Sequence, residues 1–525
     1  MKQSLPAVLL LAGLLGGCSG QALVMLAQGE VRGEAHDGFV SYLGIPYASM
    51  NGSHERFKKA GLAPHWSGAR EAPASRAACS AAAVEDCLRL DVHVPAPNTP
   101  RPDEWDFWPV LVWVQSGGGE YHPGMLVRED IIVVMVNIRK GAFGFLCFGN
   151  ERIPGNAGAK DLVLALRWVK DNIAAFKGSS AKVVVAGQGF GAAIVEAVMM
   201  SPMDDDLIHG VILQSGSILS PWAFNYDAGA RARFLASMFT DSQDENEMVK
   251  SLLNADAIEL NDFTRKLDLP YFPFGMCVES MFHTGYDDRL LSDAPKELLI
   301  SKKIVEVPTI MGYNTDEAYV FHSNLQEARA ARKMLRDLSF LLPEELLFAS
   351  EQEVDQVTKQ IKDHYFKNNF SLQALLDYHR DVYFVQHVYS SALLHERANE
   401  QPVYLYQFSH GGARGVAEDP AAGKRGAAHG DELAYLFPER GTPLQGEDAV
   451  IQSKLVMLWT NFVKFLNPTP TADAGKWEPL RPDRPRVLDI GLDLHMADFP
   501  YSSAMAMWED IYDKYFFRRQ KSLEF

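Results

Sequence analysis

Short apolar runs alternate with helical patterns along most of the chain. The runs are apolar without strict alternation, which is typical of strands buried on both faces. They occupy positions 109–114, 131–137, 183–186, 210–214, 307–312 and 403–408. Apolar residues recur at helical spacing from Leu162 to Ile173, with Gly178 as the predicted cap of that helix. The alternation predicts an α/β fold with a large, mostly parallel central sheet flanked by helices. No linker or repeat divides the chain, so we expect one domain over residues 22–518.

The first twenty residues have the features of a secretory signal. Lys2 precedes an apolar stretch over 5–15, and small residues follow it up to Gly20. Such a stretch is too short to span a bilayer, so we expect residues 1–20 to be a cleaved signal peptide. A second interpretation takes Cys18 as a lipidation site. No later stretch reaches the roughly 18 apolar residues of a membrane span, and the sequence therefore predicts a secreted, extracellular protein.

Composition narrows the range of partners. The formal net charge is −17, which argues against nucleic acid and anionic membranes, because both bind clustered Lys and Arg. We expect no cofactor and no metal ion.

Four of the five cysteines follow the predicted signal peptide. Cys79 and Cys87 are close in sequence, and in an exported protein they are predicted to form a disulfide. Cys147 and Cys277 lie in hydrophobic stretches and are expected to be buried free thiols. Asn51 and Asn369 each begin an Asn-x-Ser sequon and are predicted glycosylation sites in a eukaryotic host.

The most informative stretch is the turn after the run at 183–186. It reads Gly187-Gln188-Gly189-Phe190-Gly191, and a helix-forming stretch follows at once. This pattern is that of the strand–turn–helix elbow that carries the catalytic serine of esterases as G-x-S-x-G. The middle residue here is Gly189, which adopts the strained angles of such a turn cheaply but has no side chain to react.

Further motifs make the chain resemble the type B carboxylesterase and cholinesterase family over nearly its whole mature length. They are Tyr42-Leu43-Gly44-Ile45-Pro46-Tyr47-Ala48, Glu85-Asp86-Cys87-Leu88, Pro154-Gly155-Asn156, Gln214-Ser215-Gly216-Ser217, the stretch 426–433 and the stretch 505–512. The resemblance implies an α/β-hydrolase fold with a catalytic triad of Ser, Glu or Asp, and His. Carried over by motif, Glu317 resembles the triad acid and His429 the general base. In such a triad the carboxylate holds one imidazole nitrogen so that the other can take a hydroxyl proton.

The chain departs from the family pattern at three places. Gly189 stands at the nucleophile position. The family's His-Gly-Gly-Gly appears as Gln115-Ser116-Gly117-Gly118, so Gly117 and Gly118 are the expected oxyanion-hole donors. Phe190 replaces a small residue, and we expect its N–H to complete the hole and its ring to crowd it. Ser116 and Cys147 are nucleophiles by residue type, but neither belongs to the elbow.

Three functions follow from these observations. The first is a secreted, catalytically inactive homologue that acts by binding a hydrophobic ester or an extracellular protein, similar to the secreted cholinesterase-like protein glutactin. The second is an active carboxylic-ester hydrolase, similar to insect carboxylesterases and juvenile hormone esterases, with an unrecognised nucleophile. The third is a sink that holds hydrophobic esters without turnover. We favour the first and therefore expect the chain not to be an enzyme.

Overall fold

The structure is a computed structural model, and it describes residues 22–50, 52, 55–70, 79, 87–100, 102, 105–115, 121–203, 206–266, 273–281, 288–321, 337–367, 370–412, 426–439, 443–471 and 476–516. Within these ranges the strands are β1 Leu23–Leu26, β2 Gly29–Arg32, β3 Glu34–His36, β4 Phe39–Pro46, β5 Ala48–Ser49, β6 Gly61–Leu62, β7 Ala69–Arg70, β8 Arg89–Pro95, β9 Trp108–Gln115, β10 Ile132–Asn137, β11 Gly178–Gln188, β12 Gly210–Gln214, β13 Thr309–Asn314, β14 Val403–Phe408, β15 Arg486–Ile490 and β16 Leu494–Asp498.

The helices of the described residues cover both faces of the main sheet. They are α1 Gly124–Val127, α2 Gly141–Phe145, α3 Ala157–Asn172, α4 Phe190–Met199, α5 Ala228–Ala236, α6 Glu245–Asn254, α7 Ala257–Lys266, α8 Pro295–Ile300, α9 Glu351–Tyr365, α10 Leu372–Arg380, α11 Gln386–Ala398, α12 Leu433–Leu436, α13 Gly446–Phe465 and α14 Ser502–Tyr515. Short 3₁₀ turns occupy Ile173–Phe176, Glu317–Phe321 and Leu338–Leu341, and a π-helical turn at Asp381–Val385 joins α10 to α11. In the described part of the chain, no helix is both long and apolar enough to cross a membrane.

The main sheet has eleven strands among the described residues, in the order β16-β15-β14-β13-β12-β11-β9-β10-β8-β4-β3. Its centre, from β15 to β10, is parallel, and antiparallel pairs occur only toward the two edges. The predicted large, mostly parallel sheet flanked by helices is therefore confirmed. Each of the six short apolar runs overlaps one of its central strands, and the runs at 131–137 and 307–312 begin one and two residues before β10 and β13.

Two apolar layers, one on each face of the sheet, form the core. Strand β9 shows why its sequence does not alternate. Val110, Val112 and Val114 pack on one face beneath α3 and α4. Leu111 and Trp113 pack on the other face with residues of α13. Because successive side chains of a strand point to opposite faces, a strand covered on both sides needs apolar residues at every position.

The sequence misplaced the cap that follows α3. Gly178 was expected to end this helix, but it is the first residue of β11. The left-handed residue after the 3₁₀ turn is Lys177, with φ of 63°. A left-handed backbone favours glycine without requiring it. The α-helix therefore ends at Asn172 and the 3₁₀ turn at Phe176, and the left-handed cap lies one residue before the glycine.

The structure contains two disulfides in the described residues. One joins Cys79 to Cys87. The other joins Cys147 to Cys277, so the prediction that these were free thiols is wrong. Asn156 holds the two segments together, because its side chain accepts from the N–H of Cys277 at 3.0 Å and donates to the carbonyl of Cys277 at 2.8 Å. The partners lie 130 residues apart, which is why sequence spacing gave no sign of the pairing.

Candidate functional site

The turn between β11 and α4 has the backbone of a sharp elbow. Gly189 has φ of 58° and ψ of −122°, a conformation that residues with a side chain adopt only under strain. Its N–H donates to the carbonyl of Gln214 on the neighbouring strand, at 2.8 Å. Gly187 is also required, because a Cβ there would lie 2.4 Å from the carbonyl carbon of Gly191. The turn is therefore rich in glycine because α4 packs closely against the end of β11.

Glu317 and His429 come together beside this elbow. Glu317 follows β13 and is fully buried, and its Oε1 accepts from the N–H of Asn314 at 2.7 Å. Its Oε2 accepts from Nδ1 of His429 at 2.5 Å. The imidazole side chain keeps 20% of its surface exposed. A carboxylate held by the backbone thus fixes the orientation of the imidazole, which is the arrangement of an acid and base in a triad.

The other imidazole nitrogen points at the elbow. A Cβ built on Gly189 would lie 2.9 Å from Nε2 of His429 and 3.4 Å from its Cε1. The structure therefore brings Gly189, Glu317 and His429 into one place. A side chain at position 189 would touch the base directly, and glycine supplies none.

The charge of Glu317 controls the titration of His429. Burial by itself lowers the pKa of the imidazole, but the carboxylate beside Nδ1 raises it through charge and hydrogen bonding, with smaller contributions from Glu432 and Asp431. The net result is a raised pKa for His429. The imidazolium form is therefore easier to reach here than in free histidine.

A side chain that the sequence did not single out contacts the base. The amide nitrogen Nε2 of Gln188 lies 2.9 Å from Nε2 of His429. Gln188 is the last residue of β11 and directly precedes the elbow glycine. The only signal in the sequence was its place as the variable residue inside the G-x-G-x-G turn.

A buried polar network supports the dyad from behind. Glu432 is fully buried and accepts from the side-chain amides of Gln214, at 3.0 Å, and Asn314, at 2.5 Å. Gln214 in turn accepts from the indole N–H of Trp459 at 2.8 Å. Burial raises the pKa of Glu432 to about 7, and the charge of Glu317 adds to the shift. The sequence motifs contained Gln214 and Glu432, but gave neither residue a role.

Aromatic rings surround the elbow and the base. The ring of Phe190 lies edge-on to Phe145, with centroids 4.8 Å apart, and 6.4 Å from the ring of Trp222. Phe384, from the π-helical turn, has its ring centroid 4.9 Å from that of His429. Trp222 and Phe384 are buried, while Phe190 is only partly buried. The site beside His429 is therefore apolar on this side.

Several predicted residues lie outside the described part of the chain. They are the oxyanion-hole glycines Gly117 and Gly118, the alternative nucleophile Ser116, and the sequon residues Asn51 and Asn369. The other alternative nucleophile, Cys147, is bonded to Cys277. A disulfide sulfur is not a thiolate and cannot serve as the nucleophile.

Comparison with known proteins identifies the family. Residues 20–508 match the carboxylesterase family. The chain belongs to the carboxylesterase family. Among its relatives is venom carboxylesterase-6 from Apis mellifera, 27% identical over 482 residues that cover 85% of each chain. Another is the juvenile hormone esterase from Tribolium castaneum, 26% identical over 86% of this chain and 84% of that one.

A solved esterase structure has the same fold. The crystal structure of juvenile hormone esterase from Manduca sexta, with OTFP covalently attached, superposes with a TM-score of 0.83 at 26% identity. The match covers 94% of this chain and all of the Manduca chain. The expected α/β-hydrolase fold is thereby confirmed.

Proposed function

We propose that this carboxylesterase-family protein binds ligands at the site beside His429 without hydrolysing them. One observation carries the proposal, namely that Gly189 stands at the elbow position where the imidazole of His429 points. Covalent ester hydrolysis needs a hydroxyl or thiol at that point, activated by the base. In a serine protease, removal of the serine lowers turnover about a million-fold.

The ligand class follows from the surroundings of the base. The rings of Phe190, Trp222 and Phe384 make this side of the site apolar, and the relatives include esterases named for juvenile hormone. We therefore propose a hydrophobic ester as the ligand, held in the position of a former substrate. An extracellular protein is the alternative partner.

Export is part of the same proposal. Residues 1–20 serve as the signal peptide and 22–518 as the mature domain, with Asn51 and Asn369 glycosylated. The disulfides Cys79–Cys87 and Cys147–Cys277 fit an oxidising compartment, because structural disulfides are rare in the cytosol.

A second candidate function is hydrolysis of carboxylic esters. The paired Glu317 and His429 favour it, since an acid and a base remain in place, and relatives are named as esterases. This function requires a nucleophile other than position 189 and other than Cys147 in its disulfide. Ser116 is the remaining residue proposed from the sequence.

One experiment separates the two functions. The purified mature protein is mixed with p-nitrophenyl esters of increasing chain length, and product release is followed from the first seconds onward. In parallel, isothermal titration calorimetry measures the binding of a long-chain ester. The binding function predicts heat of binding with neither a burst nor turnover above the His429→Ala variant. A burst equal to the protein concentration would establish hydrolysis instead.

A further inference from the structure

We propose that Gln188 caps the base of this site. Its side-chain amide takes the hydrogen bond of His429 that a hydroxyl nucleophile would otherwise form, and in the neutral ring it selects the Nδ1–H form. This inference rests on the proposed function, in which His429 has no proton to accept at position 189.

The donor and acceptor roles follow from the contacts of the ring. The Nδ1 atom faces the carboxylate of Glu317, which can only accept, so the proton of neutral His429 lies on Nδ1. The lone pair then lies on Nε2, and this atom must meet a donor. The amide nitrogen of Gln188 at 2.9 Å is such a donor.

The cap and the missing serine are linked by geometry. A Cβ at Gly189 would lie 2.9 Å from the same Nε2 atom that Gln188 contacts. Since a neutral imidazole has one in-plane lone pair, a serine hydroxyl at 189 and the amide at 188 would compete for it. Because Gly189 has no hydroxyl, the amide of Gln188 can occupy this position beside Nε2.

One face of the imidazole is also covered. Phe384 packs against the ring, with centroids 4.9 Å apart, and Glu317 holds Nδ1. Gly430 follows His429 with φ of 81°, and a Cβ there would lie 3.6 Å from the amide nitrogen of Gln188. His429 is therefore fixed at both nitrogens and on one face. A water molecule or ligand hydroxyl that used His429 as a base would first have to displace Gln188.

Carbethoxylation by diethyl pyrocarbonate tests the cap, because this reagent attacks the free lone pair of a neutral imidazole. The full chain is treated at mildly alkaline pH, and the rate at each histidine is measured by peptide mass spectrometry. The variants are Gln188→Met, which keeps the length of the side chain without its donor, and Gln188→Ala. The exposed His65 and His495 are internal references in every digest.

The cap predicts a faster reaction at His429 in both variants, by roughly three- to ten-fold, as expected for the loss of one hydrogen bond. His65 and His495 should react at unchanged rates. The buried His379 and His387 should stay slow to react, which reports that the variants are folded. A rate at His429 that is the same in wild type and in folded Gln188→Met would overturn the proposal. A faster rate in Gln188→Ala alone would also overturn it, because it would show that only bulk protects the ring.

A second measurement needs no variant. Nitrogen-15 chemical shifts of labelled histidine in the wild-type protein distinguish the two neutral forms of the ring. The cap predicts the Nδ1–H form for His429 with Nε2 accepting a hydrogen bond, and the Nε2–H form would contradict it. Ester turnover by wild type would contradict the proposed function. It would not change the carbethoxylation rate or the nitrogen-15 shifts of His429, so the proposed function and the cap are tested independently.

Discussion

The Nε2 atom of His429 lies 2.9 Å from the point at which a side chain on Gly189 would begin. The same imidazole is held at its other nitrogen by Glu317, at 2.5 Å. Glu317, His429 and the elbow at Gly189 therefore lie together in this carboxylesterase-family fold. Gly189 presents no side-chain atom to the imidazole.

Replacing Gly189 by serine is expected to restore only weak ester hydrolysis. The hydroxyl returns, but its Cβ lies close to His429, the turn has positive φ, and Gln188 competes for the base. Gly189→Ala is the matched control, because it adds the same Cβ without the hydroxyl. p-Nitrophenyl ester turnover should exceed the Gly189→Ala background only slightly. It should rise further in Gly189→Ser with Gln188→Ala. Full family-like turnover from Gly189→Ser alone would contradict this account.

Removing the ring of Phe190 should help a restored serine. The ring replaces a small residue beside the elbow and packs against Phe145 and Trp222. Gly189→Ser with Phe190→Ala is therefore expected to hydrolyse p-nitrophenyl esters clearly faster than Gly189→Ser. The loss of these ring contacts should also lower the melting temperature, which the Phe190→Ala single variant measures separately. If the double variant is folded and no faster, the ring does not obstruct the reaction.

The charge of Glu317 is expected to set the pKa of His429. In Glu317→Gln, the pKa of His429 should fall, because burial is then opposed only by the weaker contributions of Glu432 and Asp431. In wild type the pKa of His429 is raised. The pair of Glu317 and His429 therefore contributes most to the free energy of unfolding below about pH 6.5, the pKa of histidine in the unfolded chain. That contribution is lost as pH rises through the folded-state pKa. Urea unfolding at a series of pH values should therefore show the two proteins converging toward alkaline pH. If the difference in unfolding free energy between wild type and Glu317→Gln did not change with pH, Glu317 would not set the pKa of His429.

The long-range disulfide should stabilise the fold more than the local one. Chain entropy predicts about 5 kcal/mol for the loop closed by Cys147 and Cys277, against about 2.5 kcal/mol for Cys79 and Cys87. These estimates rest on sequence separations of 130 and 8 residues. The double variants Cys147→Ser/Cys277→Ser and Cys79→Ser/Cys87→Ser are compared by denaturant unfolding. The first should lose more stability, and the opposite order would show that loop length does not decide the effect.

Much of the fold could be predicted from the sequence, because strands buried on both faces leave continuous apolar runs. The elbow could also be predicted from the sequence. The backbone of α4 lies too close to Gly187 for a side chain, and Gly189 has a positive φ, so both positions favour glycine. The contact between Glu317 and His429 could be predicted only from the motifs shared with the family. Periodicity says nothing about residues 112 positions apart.

Other parts of the site left no local signal. Gln188 acts through the direction of its side chain across the turn, which one sequence does not encode in a readable way. The segment of Cys277 lies beside that of Cys147 and is hydrogen-bonded to Asn156, a residue distant from Cys277 in sequence. Such contacts arise from the packing of whole elements, so composition and spacing could not predict them.

The most direct test of the central claim is labelling of the wild-type protein with an organophosphonate probe, which reacts with activated serines in esterases. An active carboxylesterase treated in the same way is the positive control, and adducts are located by peptide mass spectrometry. No serine of the native protein should carry an adduct, because Gly189 faces the imidazole of His429. An adduct approaching one per molecule and abolished by His429→Ala would contradict it, and would identify the nucleophile.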